Sequence, residues 1–117
     1  MNRGEIWTIS GGPDYARKPR PAVIVQDDQF DSTSSITICT FTSDPTEAPL
    51  FRLLVEPNAR NGLRVPSRLM VDKIVTLPKG KIGKKLGGLD DEDIVRLNRA
   101  ILVFFGLAGT KARNQAA

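Results

Sequence analysis

The sequence predicts a mainly β fold, an antiparallel barrel or roll carrying one C-terminal α-helix. Three observations carry that prediction. Short runs rich in isoleucine, valine, threonine and phenylalanine recur through the first three quarters of the chain. Clusters of glycine, proline, aspartate and serine separate them. Helical spacing of apolar residues begins only after residue 90.

The first strand is expected at Glu5-Ile6-Trp7-Thr8-Ile9, ended by Gly11-Gly12-Pro13, with residues 11–18 forming a polar loop. Ala22-Val23-Ile24-Val25-Gln26 is a near-continuous apolar run, as expected of a strand covered on both faces; Pro21 can only open it, because proline donates nothing to a ladder. After a polar loop at 27–35, Ile36 to Thr42 reads as the third strand and Phe51 to Val55 as the next. A loop at 56–62 follows, and Ser67 to Leu77 makes one or two further strands. Residues 78–88 form a basic stretch punctuated by glycine, with at most one short helical turn. Asp90 is placed to cap a helix whose first turn, Asp91, Glu92 and Asp93, carries the negative charge favoured at a helix N-terminus. Ile94, Leu97, Ile101, Phe104, Phe105 and Ala108 then recur at helical spacing; Gly106 weakens the helix near its end, Gly109 is the expected stop, and a polar frayed tail follows from 110 to 117.

A chain of 117 residues fits one domain, residues 1–117. No stretch approaches the roughly 18 continuous apolar residues of a membrane span, and the N-terminus lacks the charged-then-apolar pattern of an export signal. The single cysteine, Cys39, excludes an intrachain disulfide, and between Ile38 and Thr40 it reads as a small buried hydrophobe. The expected compartment is the cytoplasm.

The formal charge of +4 is unevenly spread. Residues 1–60 hold six Lys/Arg against eight Asp/Glu, whereas residues 61–117 hold eleven against five. Arg60, Arg64, Arg68, Lys73, Lys79, Lys81, Lys84 and Lys85 fall in one stretch opposed only by Asp72. Clustered positive charge concentrates polyanions and speeds their encounter, so a phosphate backbone is the natural partner; the alternative is that these lysines and arginines serve solubility.

Several chemistries are excluded by composition. The chain has no histidine, so a Ser–His–Asp triad and a histidine metal site are impossible. Asp27, Asp28 and Asp31 lack the spacing of a calcium loop, and no glycine-rich phosphate cradle is present. No metal or cofactor is expected. Arginine, threonine and isolated carboxylates remain, and these suffice for RNA, which carries its own nucleophile in the 2′-hydroxyl. The protein then has to align that hydroxyl and neutralise charge on the phosphoryl oxygens, a task that suits a guanidinium. Arg20, between Pro19 and Pro21, is stiffened by both neighbours just before a buried strand; it also reads simply as a surface arginine at a strand start. Thr42 and Ser43 end another strand and offer hydroxyls to a phosphate oxygen, or simply open a turn. Asp72 reads as a salt-bridge partner, as an orienter of an arginine, or as a base. Among the aromatics, Trp7 and Phe51 belong to strands and to the core, leaving Tyr15 in its polar loop as the candidate surface for base stacking.

With these residues in view, the sequence resembles the MazF/PemK family of mRNA interferases, the toxins of type II toxin–antitoxin pairs. The resemblance spans nearly the whole chain. It rests on Arg3-Gly4-Glu5-Ile6-Trp7, Arg20-Pro21-Ala22-Val23-Ile24-Val25, Thr42-Ser43, Val71-Asp72-Lys73-Ile74 and Lys81-Ile82-Gly83. It implies an SH3-like barrel, a homodimer, and metal-independent cleavage of single-stranded RNA that leaves a 2′,3′-cyclic phosphate and a 5′-hydroxyl. It also implies a cognate acidic antitoxin that covers the active groove. By motif position Arg20 matches the family's catalytic arginine and Thr42 its catalytic threonine, while Asp72 matches an aspartate implicated in some members. Those members place an arginine two residues earlier, where this chain has Met70, with Arg68 nearby. Tyr15, Lys18, Ser43, Arg60, Arg64, Arg68 and Lys73 complete the candidate RNA-binding set, with base contacts expected from loops 11–18 and 56–67. Two other readings compete: a CcdB-like gyrase poison of the same fold, acting on a protein through its C-terminal helix, and a non-catalytic SH3-like nucleic-acid or peptide-binding module.

Overall fold

Strands whose side chains alternate between two apolar faces pair into one sheet. In the computed structural model, which describes residues 1–10 and 18–109, the strands are β1 (Glu5–Ile9), β2 (Arg20–Ile24), β3 (Ser35–Thr42), β4 (Arg52–Val55), β5 (Ser67–Pro78) and β6 (Ile82–Gly88). They form a single sheet in the order β4-β5-β3-β2-β1-β6, and every neighbouring pair is antiparallel. Helix α1 (Asp91–Phe104) follows. The outer strands β4 and β6 do not pair with each other, so the sheet is not a closed barrel. The loop after β4 lies against β6 instead: the Gly88 N–H donates to the Arg60 carbonyl at 3.0 Å.

The period of two sorts the core. Ala22 and Ile24 of β2 and Ile36 and Ile38 of β3 join Ile9 in one buried cluster, against which Trp7, Leu77 and Ile82 pack. Val23, Cys39 and Phe41 point the other way and meet Leu97 and Ala100 of α1 in a second, larger cluster. The apolar run of β2 is thus covered on both faces, as its composition predicts. Cys39 is fully buried, and burial pushes its thiol up to about 12, so it acts as packing rather than as a nucleophile.

Four expectations need correction. Residues 78–88 do hold the short helical turn expected, a 3-10 turn at Lys79–Lys81, but the rest of the stretch is a strand, β6, which the sequence reading lacks. β2 begins at Arg20 rather than Ala22, and Pro21 lies inside it; the ladder to β3 opens only at Ala22, so the missing N–H breaks no bond there. The helix stops at Gly106, not Gly109. Gly106 takes φ +75°, its N–H reaches the Val103 carbonyl, and Leu107 N–H reaches Leu102, a Schellman closure. Finally, Asp90 holds the N-cap position without capping through its side chain, which accepts a hydrogen bond from Asn58 Nδ2 instead. The expected polar tail at 110–117 lies outside the described residues. No helix among those described is long and apolar enough to cross a membrane.

Candidate active site

Where β2 begins and β3 ends, the sheet opens into a groove of about 700 Å³. Its position follows from the strand register. Ala22 faces Thr40 and Ile24 faces Ile38, so the same register carried to the strand ends sets Arg20 across from Thr42. Residues opposite one another on adjacent antiparallel strands project to the same side with Cβ atoms roughly 5 Å apart. Both residues line the groove, and Arg20 is exposed. The Thr42 hydroxyl accepts the Asp44 backbone N–H at 3.1 Å, which leaves its own proton to donate to an anion.

The opposite wall comes from the loop between β4 and β5, ordered by two asparagines. Asn61 is fully buried. Its Oδ1 accepts the N–H groups of Asn58 and Leu63, and its Nδ2 donates to the Glu56 carbonyl. Asn58 Oδ1 in turn accepts the N–H groups of Arg60 and Asn61. These bonds hold a turn that sequence composition leaves undefined, and they present Arg64 to the groove and Arg60 to its far side.

Among the described residues, charge in the groove is of one sign. Lys18, Arg20, Arg64 and Lys84 line it, with no carboxylate among the described lining residues. Thr42 and Ser43 add hydroxyls, and Phe41, Leu63 and Leu86 make an apolar floor. Such a surface takes an anionic chain with planar apolar groups attached, because the cations hold phosphate while the floor receives rings. Of the sequence-derived candidates, Arg20, Thr42, Lys18, Ser43 and Arg64 meet here.

Others lie elsewhere. Asp72 does not line the groove: on β5, it holds a bidentate pair with Arg52, Nε to Oδ1 at 2.7 Å and a terminal nitrogen to Oδ2 at 2.9 Å. That guanidinium keeps the Asp72 carboxyl below its ordinary value, the opposite of what a general base requires. Arg52 is the register partner of Met70. The arginine that pairs with Asp72 therefore comes from the neighbouring strand instead of from two residues earlier. Arg68 is engaged by Glu47 at 3.2 Å. Lys73 is exposed on β5 and lies outside the groove, Lys79 bonds the Asp31 carbonyl, and Lys85 pairs with Glu5. The basic stretch of the sequence is thus dispersed over the surface, and only Arg64 and Lys84 of it reach the groove. Tyr15 lies outside the described residues. Trp7 and Phe51 are half-buried against the two clusters, Phe51 with its ring 6.0 Å from that of Phe104.

Sequence reasoning missed Leu86 and Thr8 as groove residues and had Lys84 only as one of the basic stretch. All three follow once β6 is recognised: Lys84 and Leu86 share the strand period, a register shift between Ile82 and Lys85 sets Ile82 against the other cluster, and Thr8 Oγ1 accepts the Lys84 N–H at 2.9 Å. The available signal was that alternation, masked by Gly83, Gly87 and Gly88.

Comparison with known proteins supplies the context. Residues 2–105 match the family model described as PemK-like, MazF-like toxin of type II toxin-antitoxin system. Over 109 residues the chain is 46% identical to the probable endoribonuclease MazF of Mycolicibacterium smegmatis, covering 93% of this chain and all of that one. Among solved structures, an endoribonuclease in complex with its cognate antitoxin from a mycobacterial species superposes with a TM-score of 0.76 at 21% identity, over 93% of this chain and 98% of that one. The Mycobacterium tuberculosis toxin MazF-mt6 gives 0.75 at 24% identity, over 90% and 99%.

Proposed function

Since the chain belongs to the PemK-like, MazF-like toxins of type II toxin–antitoxin systems, we propose that it is a sequence-specific endoribonuclease that cuts single-stranded mRNA without a metal ion and is neutralised by a cognate acidic antitoxin. The observation that best supports this reading is the meeting of Arg20 and Thr42 at the ends of adjacent strands, inside a groove whose described residues include four cations and no carboxylate. In the reaction the 2′-oxygen bonds to phosphorus as the bond to the 5′-oxygen breaks; one proton leaves the first oxygen and one arrives at the second. Arg20 offers two parallel donors to the phosphoryl oxygens as their charge grows, and Thr42 adds a third. A guanidinium carries donors and no acceptor, so Arg20 stabilises charge and does not serve as the base. Lys18, Ser43, Arg64 and Lys84 hold the flanking backbone.

The direct experiment incubates the purified protein with a long single-stranded RNA in EDTA. Discrete fragments are expected. RNA that is bound but intact would leave a binding module, and intact unbound RNA with arrested DNA supercoiling would point to a gyrase poison.

We also propose a homodimer acting in the cytoplasm, where mRNA is found. Residues 100–105, the end of α1 and its C-cap, are apolar on all sides, and Leu102, Val103, Phe104, Phe105 and Leu107 stay exposed, Phe105 at 53% and Leu107 at 67%. A helix of this composition is normally covered. Sedimentation at micromolar concentration should give twice the 12.8 kDa chain mass, reduced to that of one chain in Phe105→Asp; a wild-type monomer would contradict this.

A further inference from the structure

A second depression of about 400 Å³ lies on the other side of the asparagine-ordered loop. Its charged lining is Arg3, Arg60, Lys85 and Glu5; Gly4, Gly87 and Gly88 line it too, beside Asn2, Leu89 and Ile94. The two hollows share the same two elements. In β6, Lys84 and Leu86 line the first while Lys85 and Gly87 line the second; in the loop, Arg64 lines the first and Arg60 the second. The loop lies low on the strand. A Cβ on Gly62 would stand 2.3 Å from the Leu86 carbonyl oxygen, and one on Gly87 would stand 2.2 Å from that of Arg60. These glycines therefore bring the two backbones together and form a saddle between the hollows.

We propose that the second depression is a phosphate subsite for RNA that leaves the active groove and crosses this saddle. It rests on the reading of the groove as an RNA site. Arg60 is exposed, and Arg3 is anchored by its Nε on the Val25 carbonyl at 2.8 Å. Lys85 is held over the hollow by Glu5 at 3.1 Å, with its side chain still half exposed. Three cations against one carboxylate leave a net attraction for a phosphodiester. The acids of the first turn of α1 are not among the lining residues. Continuity with the active groove favours an RNA strand over an acidic protein segment, since a chain already held at Arg64 and Lys84 reaches Arg60 and Lys85 by crossing one loop.

The test uses full-length protein and 2′-O-methyl RNA, which cannot cyclise and so measures binding alone. One strand spans only the cleavage motif; the other extends it on both sides. For Arg60→Gln/Lys85→Gln, affinity for the extended strand should fall by about tenfold, and the slope of log K against log salt should flatten by about one to two. The short strand should bind as it does to wild type. Equal affinity and slope on the extended strand, or equal loss on both strands, would overturn the subsite, as would a variant weakened only towards an acidic partner protein. Arg60→Gln alone, with a flattening of about one, serves if the double variant melts early. An enzyme that cuts no RNA yet binds it with this length dependence would sink the nuclease reading and leave the subsite standing.

Discussion

Arg20→Ala should lower kcat for RNA cleavage by about a thousandfold, with a much smaller change in KM. A guanidinium aimed at phosphoryl oxygens does most of its work where their charge is greatest, in the transition state. Arg20 is suited to this by its frame. Pro19 and Pro21 restrict its backbone, β2 fixes its direction, and the β2–β3 register sets it across from the Thr42 hydroxyl. Arg20→Lys should recover only part of the loss, because an ammonium keeps the charge but cannot hold two phosphoryl oxygens in parallel. Thr42→Ala, which removes one neutral donor and no charge, should reduce kcat by about tenfold with little loss of RNA affinity. Single-turnover kinetics with equilibrium RNA binding separates the two effects. An Arg20→Ala enzyme within about tenfold of wild type would remove the guanidinium from the mechanism.

The second large effect concerns stability. Gly62→Ala should destabilise the fold by about 3 kcal/mol, a fall in Tm of roughly 10–20 °C. Gly62 sits at φ +71°, where an L side chain is strained, and its Cβ would stand 2.3 Å from the Leu86 carbonyl oxygen and 2.9 Å from the carbonyl carbon. Both are backbone atoms of β6 and cannot swing aside as a side chain would, so the loop or the strand must move. Because that loop carries Arg64, RNA affinity should fall with stability. Gly80→Ala is the matched control, with nothing within 4 Å of the new Cβ; it should leave Tm within about 2 °C of wild type. Thermal unfolding followed by circular dichroism decides it, and a Gly62→Ala protein as stable as the control would contradict this picture of the saddle.

The same glycines mark where the sequence could be read and where it could not. β1, β3 and β4 are apparent because their composition and period are strand-like without help from elsewhere, and α1 because its apolar residues keep helical spacing behind an acidic first turn. β6 is obscure because Gly83, Gly87 and Gly88 read locally as breakers; a tertiary fact, the close passage of β1 and the 58–62 loop, explains why glycine is required at 87 and favoured at 83. A Cβ on Gly83 would meet Thr8 Oγ1 at 2.3 Å, and one on Gly87 would meet the Arg60 carbonyl. The helix stop was misplaced for a similar reason: the hydrogen bonds that close on Gly106 are not visible in a periodicity.

In the site, Arg20 and Thr42 were reachable from local chemistry, since both end strands and both carry groups suited to phosphate. The partner of Asp72 was not. Its pairing with Arg52 depends on the β4–β5 register, which the sequence does not specify. The basic stretch misled in the other direction. Its residues are neighbours along the chain but are divided among the β4–β5 loop, β5, the 3-10 turn and β6, so Arg68, Lys79 and Lys85 find acidic side chains, while only Arg64 and Lys84 face the groove.

The most direct measurement replaces one ribose. Once the cut site is mapped, an RNA carrying a single 2′-deoxynucleotide immediately 5′ of the scissile phosphate should bind the protein with nearly unchanged affinity and remain uncut in EDTA, while the all-ribose strand is cleaved. Cleavage of the deoxy-substituted strand at that phosphate would mean that the nucleophile comes from elsewhere, and the roles given to Arg20 and Thr42 in 2′-hydroxyl attack would be wrong.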